Sequence, residues 1–125
     1  MTIPLADGSV DKAYAIEATV HAPSLERVYR EIGRIIRPGG LFATYEWCMT
    51  ERYDPADPTH RALKDGIVVG GGLPDMGTSR DVLAAMAAAG FEVLGHEDCG
   101  DAGEIPWYEP LAPRRVTLAT FRSSP

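Results

Sequence analysis

The chain has 125 residues, of which 45% are hydrophobic, enough for one modest core but few for a complete α/β enzyme domain. Its net charge of -6 argues against general nucleic-acid binding, because phosphate contacts need clustered lysine and arginine. The 2 cysteines are too few for a disulfide scaffold and favour a reducing compartment. No apolar run reaches the ~20 residues that span a bilayer, and the first residues lack the pattern of a signal peptide.

The first part of the chain predicts a strand–helix–strand unit. Residues 11–19 include a nearly continuous apolar stretch, which favours a parallel strand buried on both faces. Ser24 is a predicted helix N-cap, and the helix should stop at Arg37-Pro38-Gly39-Gly40. The aromatic-rich stretch Leu41 to Met49 predicts a second strand, joined to the first by a right-handed parallel crossover. The helix is indicated by apolar residues at helical spacing, namely Leu25, Val28, Ile32, Ile35 and Ile36.

The rest of the chain predicts a loop insertion followed by a helix and a strand. The insertion has a short helix from Pro58 to Lys64 and a hinge or turn at Gly70-Gly71-Gly72. Thr78 and Asp81 form a predicted capping box, Gly90 ends that helix, and Phe91 to Leu94 is strand-like. The predicted organisation is therefore strand–helix–strand over 1–49, insertion over 50–77, helix–strand over 78–98 and a tail over 99–125.

Two glutamates are the first candidates for chemistry. Ligands of open parallel sheets bind at the carboxyl ends of the strands, and Glu17 and Glu46 lie near two such ends. A buried carboxylate there is either functional or caps a neighbouring helix or pairs with arginine, and position alone does not separate these alternatives. Tyr45, Trp47 and Tyr53 surround Glu46 in the sequence, a combination suited to holding a cation but equally common in pocket walls.

His21 follows the first strand directly and is a candidate proton acceptor, although a loop histidine is more often structural. The remaining histidines and the cysteines show no metal-ligand spacing, so we expect no metal site. Neither a nucleophile elbow nor a phosphate-binding glycine loop occurs in the sequence.

Two longer segments, YAIEATVHAP (Tyr14 to Pro23) and RPGGLFATYEWCMTERYDP (Arg37 to Pro55), closely resemble the sterol 24-C-methyltransferase family. Further segments are similar to that family in the same order: HRALKDGIVVGGGLPDM (His60 to Met76), AGFEVLGHEDC (Ala89 to Cys99) and EIPWYEPL (Glu104 to Leu111). The resemblance implies the C-terminal part of a class I methyltransferase domain. The implied fold is α/β and partially Rossmann-like, with strands four to six, their helices and a mainly parallel sheet.

The resemblance also implies S-adenosylmethionine as cofactor and a sterol side-chain double bond as methyl acceptor. Methylation of an alkene leaves a carbocation, which aromatic rings stabilise and a base must deprotonate. Tyr45 and Trp47 would then be cation-stabilising walls and Glu46 a polar partner. Glu17 and His21 would remove the proton or bind the substrate hydroxyl, and Glu17, Ala18 and His21 would also contact the cofactor.

The chain departs from the family pattern in ways that carry expectations. The glycine-rich loop and the ribose-binding acid of that family belong to a part that precedes the matched segments, and Val68 and Val69 stand where an acid is expected. We therefore expect the isolated chain to be inactive and not to bind S-adenosylmethionine appreciably. An uncovered edge of the first strand should favour association between copies. The implied location is cytoplasmic, with peripheral contact to endoplasmic reticulum or lipid-droplet membrane for a full-length family member.

Two other functions stay open from the sequence. One is a methyltransferase for another small molecule, such as a quinone or tocopherol ring. The other is a non-catalytic domain that docks onto a partner half. The EATVHAP and YEWCMT segments favour the sterol enzyme.

Overall fold

The computed structural model describes residues 2–100, and its elements alternate between strand and helix before two helices follow in succession. The chain divides after Leu94 into two units, and every element of the described residues lies in the first unit. In chain order they are β1 (Val10–Ile16), a 3-10 turn (Thr19–His21), α1 (Leu25–Ile35), β2 (Ile36–Tyr45), α2 (Pro58–Gly71) and α3 (Ser79–Ala88).

β1 and β2 pair in parallel, so the predicted strand–helix–strand unit is present. The register runs from Lys12 opposite Leu41 to Ile16 opposite Tyr45, but Val10 lies opposite Ile36. β2 therefore carries extra residues over this interval, and they include the Pro-Gly-Gly sequence that was predicted to separate helix from strand. A Cβ at Gly40 would lie 2.5 Å from the Asp11 carbonyl oxygen, so only glycine fits this bulge.

The core lies between α1 and one face of the sheet. α1 begins at the predicted cap, where the Ser24 hydroxyl accepts from the Arg27 N–H at 3.3 Å. Tyr29 is fully buried, and its ring lies 6.0 Å from that of Phe42 on β2. Val28, Ile32 and Ile35 are also buried, so apolar spacing sets which face of α1 is covered, and Ile36 at the start of β2 joins the same cluster.

The opposite face of the sheet is exposed, contrary to the prediction of strands buried on both faces. Tyr14 is 80% exposed and Ile16 64% exposed, with Leu41 and Tyr45 also exposed beside them on β2. Within the described residues, α1 packs on one face only, while parallel sheets normally carry helices on both. An apolar strand sequence predicts burial but does not say which segment supplies the cover.

A network of charged side chains ties the residues before β1 to α1. Arg34 donates to the carbonyl oxygens of Ile3 at 3.0 Å and Leu5 at 2.9 Å. It also pairs with Glu31 at 2.7 Å and with Asp7 at 2.5 Å. Glu31 in turn accepts from the Ile3 N–H at 2.7 Å. These bonds fix the amino-terminal segment beside the last turns of α1.

This network makes stability depend on acid pH. The Arg34 hydrogen bond and the Ile3 N–H lower the pKa of Glu31 to about 2. Because a depressed carboxyl pKa stabilises the folded state above the unfolded pKa, that stability should be lost as pH falls from about 4.5 toward 2. Urea midpoints between pH 7 and pH 2.5 measure the effect, and Glu31→Gln should flatten the curve in this window. An unchanged curve for that variant would contradict the assignment.

α2 is longer than predicted, because the sequence favoured a short helix from Pro58 to Lys64 within a loop insertion. Asp57 caps it by accepting from the Thr59 N–H at 2.7 Å, and Pro58 occupies the first turn. Gly72 ends it with φ of 61°, and the Leu73 N–H closes the last turn on the Val68 carbonyl at 2.9 Å. The glycines that predicted a turn therefore lie at the end of a helix that continues through Gly66.

α3 begins at the predicted capping box, in which Thr78 and Asp81 each bond the other's backbone N–H. Gly90, with φ of 94°, follows its end as expected. The predicted strand Phe91 to Leu94 is wrong, since these residues pair with neither β1 nor β2. Phe91 packs its ring on Phe42 instead, at 5.6 Å between centroids. No helix in residues 2–100 has the length and apolarity to cross a membrane.

Candidate functional site

The two predicted glutamates lie just beyond the carboxyl ends of adjacent parallel strands. The Glu17 N–H donates to the Tyr45 carbonyl at 2.7 Å, which holds the residue after β1 against the last residue of β2. Glu46 is the residue that directly follows β2. Since parallel strands end at the same edge of a sheet, both glutamates and the turn after β1 share one edge.

Glu46 binds the turn that follows β1. Its Oε1 atom accepts from the N–H groups of Ala18 at 3.3 Å and Thr19 at 2.8 Å, and its Oε2 atom accepts from Val20 N–H at 3.2 Å. The hydroxyls of Thr19 and Thr44 add bonds to Oε1 at 2.7 and 3.1 Å. All these partners are N–H or O–H dipoles, so Glu46 caps this turn, and its role as a polar partner of the cation stays a prediction.

A buried hydroxyl chain extends this contact to the core. Thr19 is 4% exposed, and its hydroxyl lies 3.1 Å from the Tyr29 hydroxyl. Burial raises the pKa of Tyr29, with a further contribution from the Glu46 charge, so the phenol stays protonated. Because the single Thr19 proton goes to Glu46, Tyr29 donates to Thr19. Thr19 and Tyr29 were missed from the sequence, where Thr19 lay in the predicted strand stretch and Tyr29 within the predicted helix.

An open groove of about 500 Å³ lies beside this edge. Its polar lining comes from Tyr29, Glu46, Asp75 and Asp81, and Trp47, which is 39% exposed, also lines it. Its apolar lining comes from the turn after β1, the start of α1 and α3, through residues that include Val20, Leu25 and Val82. Carboxylates and apolar side chains thus line the groove together, and its volume is in the range of small-molecule sites.

The structure separates the predicted aromatic cluster. Trp47 and Glu46 line the groove together, whereas Tyr45 lies on the exposed sheet face and is not a lining residue. Tyr53 stacks on His60 at 6.3 Å between ring centroids, and the Lys64 ammonium lies 5.7 Å from its ring centre. The interpretation of Tyr53 as part of a cluster around Glu46 is therefore wrong, because its ring is held by α2.

Glu17, Ala18 and His21 are exposed around the turn that Glu46 holds. The His21 N–H donates to the Ala18 carbonyl at 3.4 Å, and neither Glu17 nor His21 lines the groove. The Glu17 carboxylate and the His21 imidazole are thus accessible to solvent at this edge of the sheet. Their predicted roles as base and cofactor contact stay predictions.

Glu17 has a left-handed backbone, with φ of 49°. A residue with a Cβ is strained in this region by roughly 1–2 kcal/mol, so we expect Glu17→Gly to be about 1 kcal/mol more stable than Glu17→Ala. Both substitutions remove the carboxylate, but only alanine keeps the strain. The difference in stability between the two variants therefore measures the strain. Urea denaturation of both variants measures the difference. Equal stabilities would show that this backbone is not strained in solution.

Comparison with known proteins gives consistent matches to methyltransferases. A family described as methyltransferase domain matches residues 1–44. Cycloartenol-C-24-methyltransferase 1 of Oryza sativa subsp. japonica is 46% identical over 122 residues, which are 98% of this chain and 36% of that protein. The sterol 24-C-methyltransferase erg6 of Aspergillus fumigatus is 50% identical over 113 residues, 90% of this chain and 30% of that protein. The sterol 24-C-methyltransferase of Eremothecium gossypii is 49% identical and covers 97% of this chain.

Among solved structures, a putative sarcosine dimethylglycine methyltransferase from Galdieria sulphuraria superposes with a TM-score of 0.63. It is 24% identical, and the match covers 74% of this chain and 33% of that one. The predicted fold class, a partial Rossmann-like α/β unit, is confirmed. The predicted resemblance to sterol 24-C-methyltransferases is confirmed as well, and the chain spans about one third of the length of the relatives it matches.

Proposed function

We propose that this chain forms the C-terminal part of the catalytic domain of an S-adenosylmethionine-dependent methyltransferase that methylates the side-chain double bond of a sterol. The observation that carries the proposal is the similarity of 46% over 98% of the chain to a cycloartenol-C-24-methyltransferase. The two segments that carry the sterol resemblance, around Glu17 and around Glu46, also lie at one sheet edge. A shared edge is what a common ligand site requires.

The described residues fit one wall of a cofactor site. Ala18 has a small side chain, and Glu17 and His21 beside it are exposed polar groups at the carboxyl ends of the strands. Glu17 would place a carboxylate near a sulfonium, and His21 would supply a hydrogen-bonding imidazole. When bound there, S-adenosylmethionine supplies an electrophilic methyl group. A glycine-rich loop after a strand, the usual phosphate or cofactor cradle of such sheets, does not occur in residues 2–100.

The chain's own groups have separable roles in this proposal. The Trp47 ring faces the groove and would stabilise a developing positive charge on the substrate. A carboxylate oxygen of Glu17 or a ring nitrogen of His21 would accept the proton that the substrate must lose to restore a double bond. Glu46 is occupied by the turn after β1 and is not needed as a polar partner of the cation.

A chimera tests the proposed function. The 122-residue stretch of the rice enzyme that this chain matches would be replaced by the corresponding residues of the chain. We expect the purified chimera to transfer labelled methyl groups from S-adenosylmethionine to cycloartenol. A folded chimera that methylates a quinone or tocopherol acceptor but no sterol would favour the alternative enzyme. A folded chimera that binds S-adenosylmethionine and methylates nothing would refute the proposal.

The isolated chain should behave differently from the chimera toward the cofactor. Because the exposed turn supplies only one wall, we expect no heat of binding when S-adenosylmethionine is titrated into the 125-residue chain by calorimetry. The chimera, titrated under the same conditions, should bind it. Micromolar binding by the isolated chain would mean that its own residues form a complete cofactor site.

A further inference from the structure

We infer that Glu46 is a positioning residue, which sets the conformation of the turn carrying Glu17, Ala18 and His21 and does not itself touch the reacting atoms. The functional part of this inference rests on the proposed function, whereas its structural part stands on the contacts of Glu46 alone. Both parts go beyond the similarity to other proteins, because sequence identity shows that a residue is shared and not what it holds.

Several backbone donors in the turn after β1 depend on the Glu46 carboxylate. Three consecutive N–H groups, those of Ala18, Thr19 and Val20, donate to the two oxygens of this single side chain. The short 3-10 turn that begins at Thr19 cannot satisfy these donors internally, because the first N–H groups of a helical turn have no partner within it. A carboxylate on the neighbouring strand satisfies them instead, across 26 to 28 positions of the sequence.

The Glu46 side chain has the length and the charge that this contact needs. Glu46 is anchored on β2's side by the Thr44 hydroxyl at 3.1 Å, and it spans the gap to the turn after β1. Both oxygens act as acceptors, so an amide would present an N–H group where at least one acceptor is needed. Glutamine therefore keeps the size of the side chain but loses part of its function. Bonds to a charged acceptor are also stronger than bonds to a neutral one.

The contact between Glu46 and the turn also restrains the strained backbone of Glu17. A residue with φ of 49° persists only when its surroundings define its conformation. Here the Glu17 N–H is held by the Tyr45 carbonyl, and the next three N–H groups are held by Glu46. Without the carboxylate, the turn can relax toward an unstrained backbone. Glu17 and His21 would then leave the orientation that the folded chain gives them.

The matching experiment uses Glu46→Gln with Glu92→Gln as its control, since Glu92 is an exposed glutamate outside this network. In the full 125-residue chain, amide hydrogen exchange at Ala18, Thr19 and Val20 should become about 10-fold to 100-fold faster in Glu46→Gln. Exchange within α1 should change much less, and Glu92→Gln should leave the turn unchanged. Thr44→Val, which removes a donor from β2 only, should leave most of the protection in place.

The chimera provides the functional readout. Glu46→Gln in the chimera should lower kcat by about 10²-fold with KM for both substrates nearly unchanged, because misplacement of a group by about 1 Å has effects of this size. A folded Glu46→Gln chimera with normal kcat, or a chain with normal exchange in the turn, would overturn the inference. Failure of the proposed function would instead leave the unsubstituted chimera inactive, and exchange in the isolated chain would then decide the role of Glu46.

Discussion

We expect at least one of the variants Glu17→Gln and His21→Ala in the chimera to lower kcat by about 10²-fold to 10⁴-fold. A positioned proton acceptor usually contributes a factor of this size. Both side chains are exposed at the sheet edge where the strands end, and both belong to the turn held by Glu46. Proton removal follows methyl transfer, so its loss should lower kcat and should not raise KM for the sterol.

The kinetic pattern separates a base from a cofactor contact. If a residue only binds S-adenosylmethionine, its replacement should raise KM for that substrate and leave kcat at saturation unchanged. Trp47→Leu gives a useful comparison, because loss of an aromatic wall should lower kcat without altering its pH dependence. Circular dichroism of each variant checks that the fold is intact. Normal turnover in both Glu17→Gln and His21→Ala would show that the proton leaves to another group.

The parts of the fold that the sequence predicted are those with local signals. Ser24 and the Thr78–Asp81 capping box mark helix starts through side chains that bond N–H groups three residues away. The helical spacing of Val28, Ile32 and Ile35 likewise places one face of α1 toward the sheet. Such signals depend on neighbouring residues only, so they can be recognised without knowing what else the chain contacts.

The features that were mispredicted depend on distant contacts. The strand-like composition of Phe91 to Leu94 predicted pairing, but Phe91 contributes its ring to the aromatic packing on Phe42 and the segment pairs with neither strand. Tyr53 was grouped with Glu46 because the two are close in sequence, while its ring contacts His60. The role of Glu46 was one of two alternatives, and the choice needed the positions of donors on another segment.

The candidate site was predicted better in place than in detail. Both glutamates were assigned to the carboxyl edge of a parallel sheet, and the structure puts them there. Parallel pairing follows from the length of the crossover, so the location is a consequence of topology. The bonding of each side chain is a consequence of short-range geometry, which a pattern of residue types does not contain. For this reason Glu46 could be located from sequence, but its hydrogen-bond partners could not be predicted.

Tyr29→Ala should cost the chain most of its stability, because Tyr29 is the only fully buried large side chain in the described residues. Removing a buried aromatic ring leaves a cavity and lowers the free energy of unfolding by about 3–5 kcal/mol. That is a large share of the roughly 5–15 kcal/mol that stabilises an ordinary domain. The ring also packs on Phe42, so the contact between α1 and β2 should loosen. Urea denaturation followed by near-ultraviolet circular dichroism measures the loss.

Two further substitutions divide this effect into its causes. Tyr29→Phe keeps the ring and removes only the donor to Thr19, so we expect a loss of about 1–2 kcal/mol and faster exchange in the turn after β1. Tyr14→Ala removes the same side chain from a position that is 80% exposed, and it should change stability by less than about 0.5 kcal/mol. If Tyr14→Ala were as harmful as Tyr29→Ala, the exposed face of the sheet would be covered in solution, for example by a second copy of the chain. Sedimentation of the unsubstituted chain would then test whether a second copy covers this face. Self-association through the open sheet predicts a shift to larger species with rising concentration.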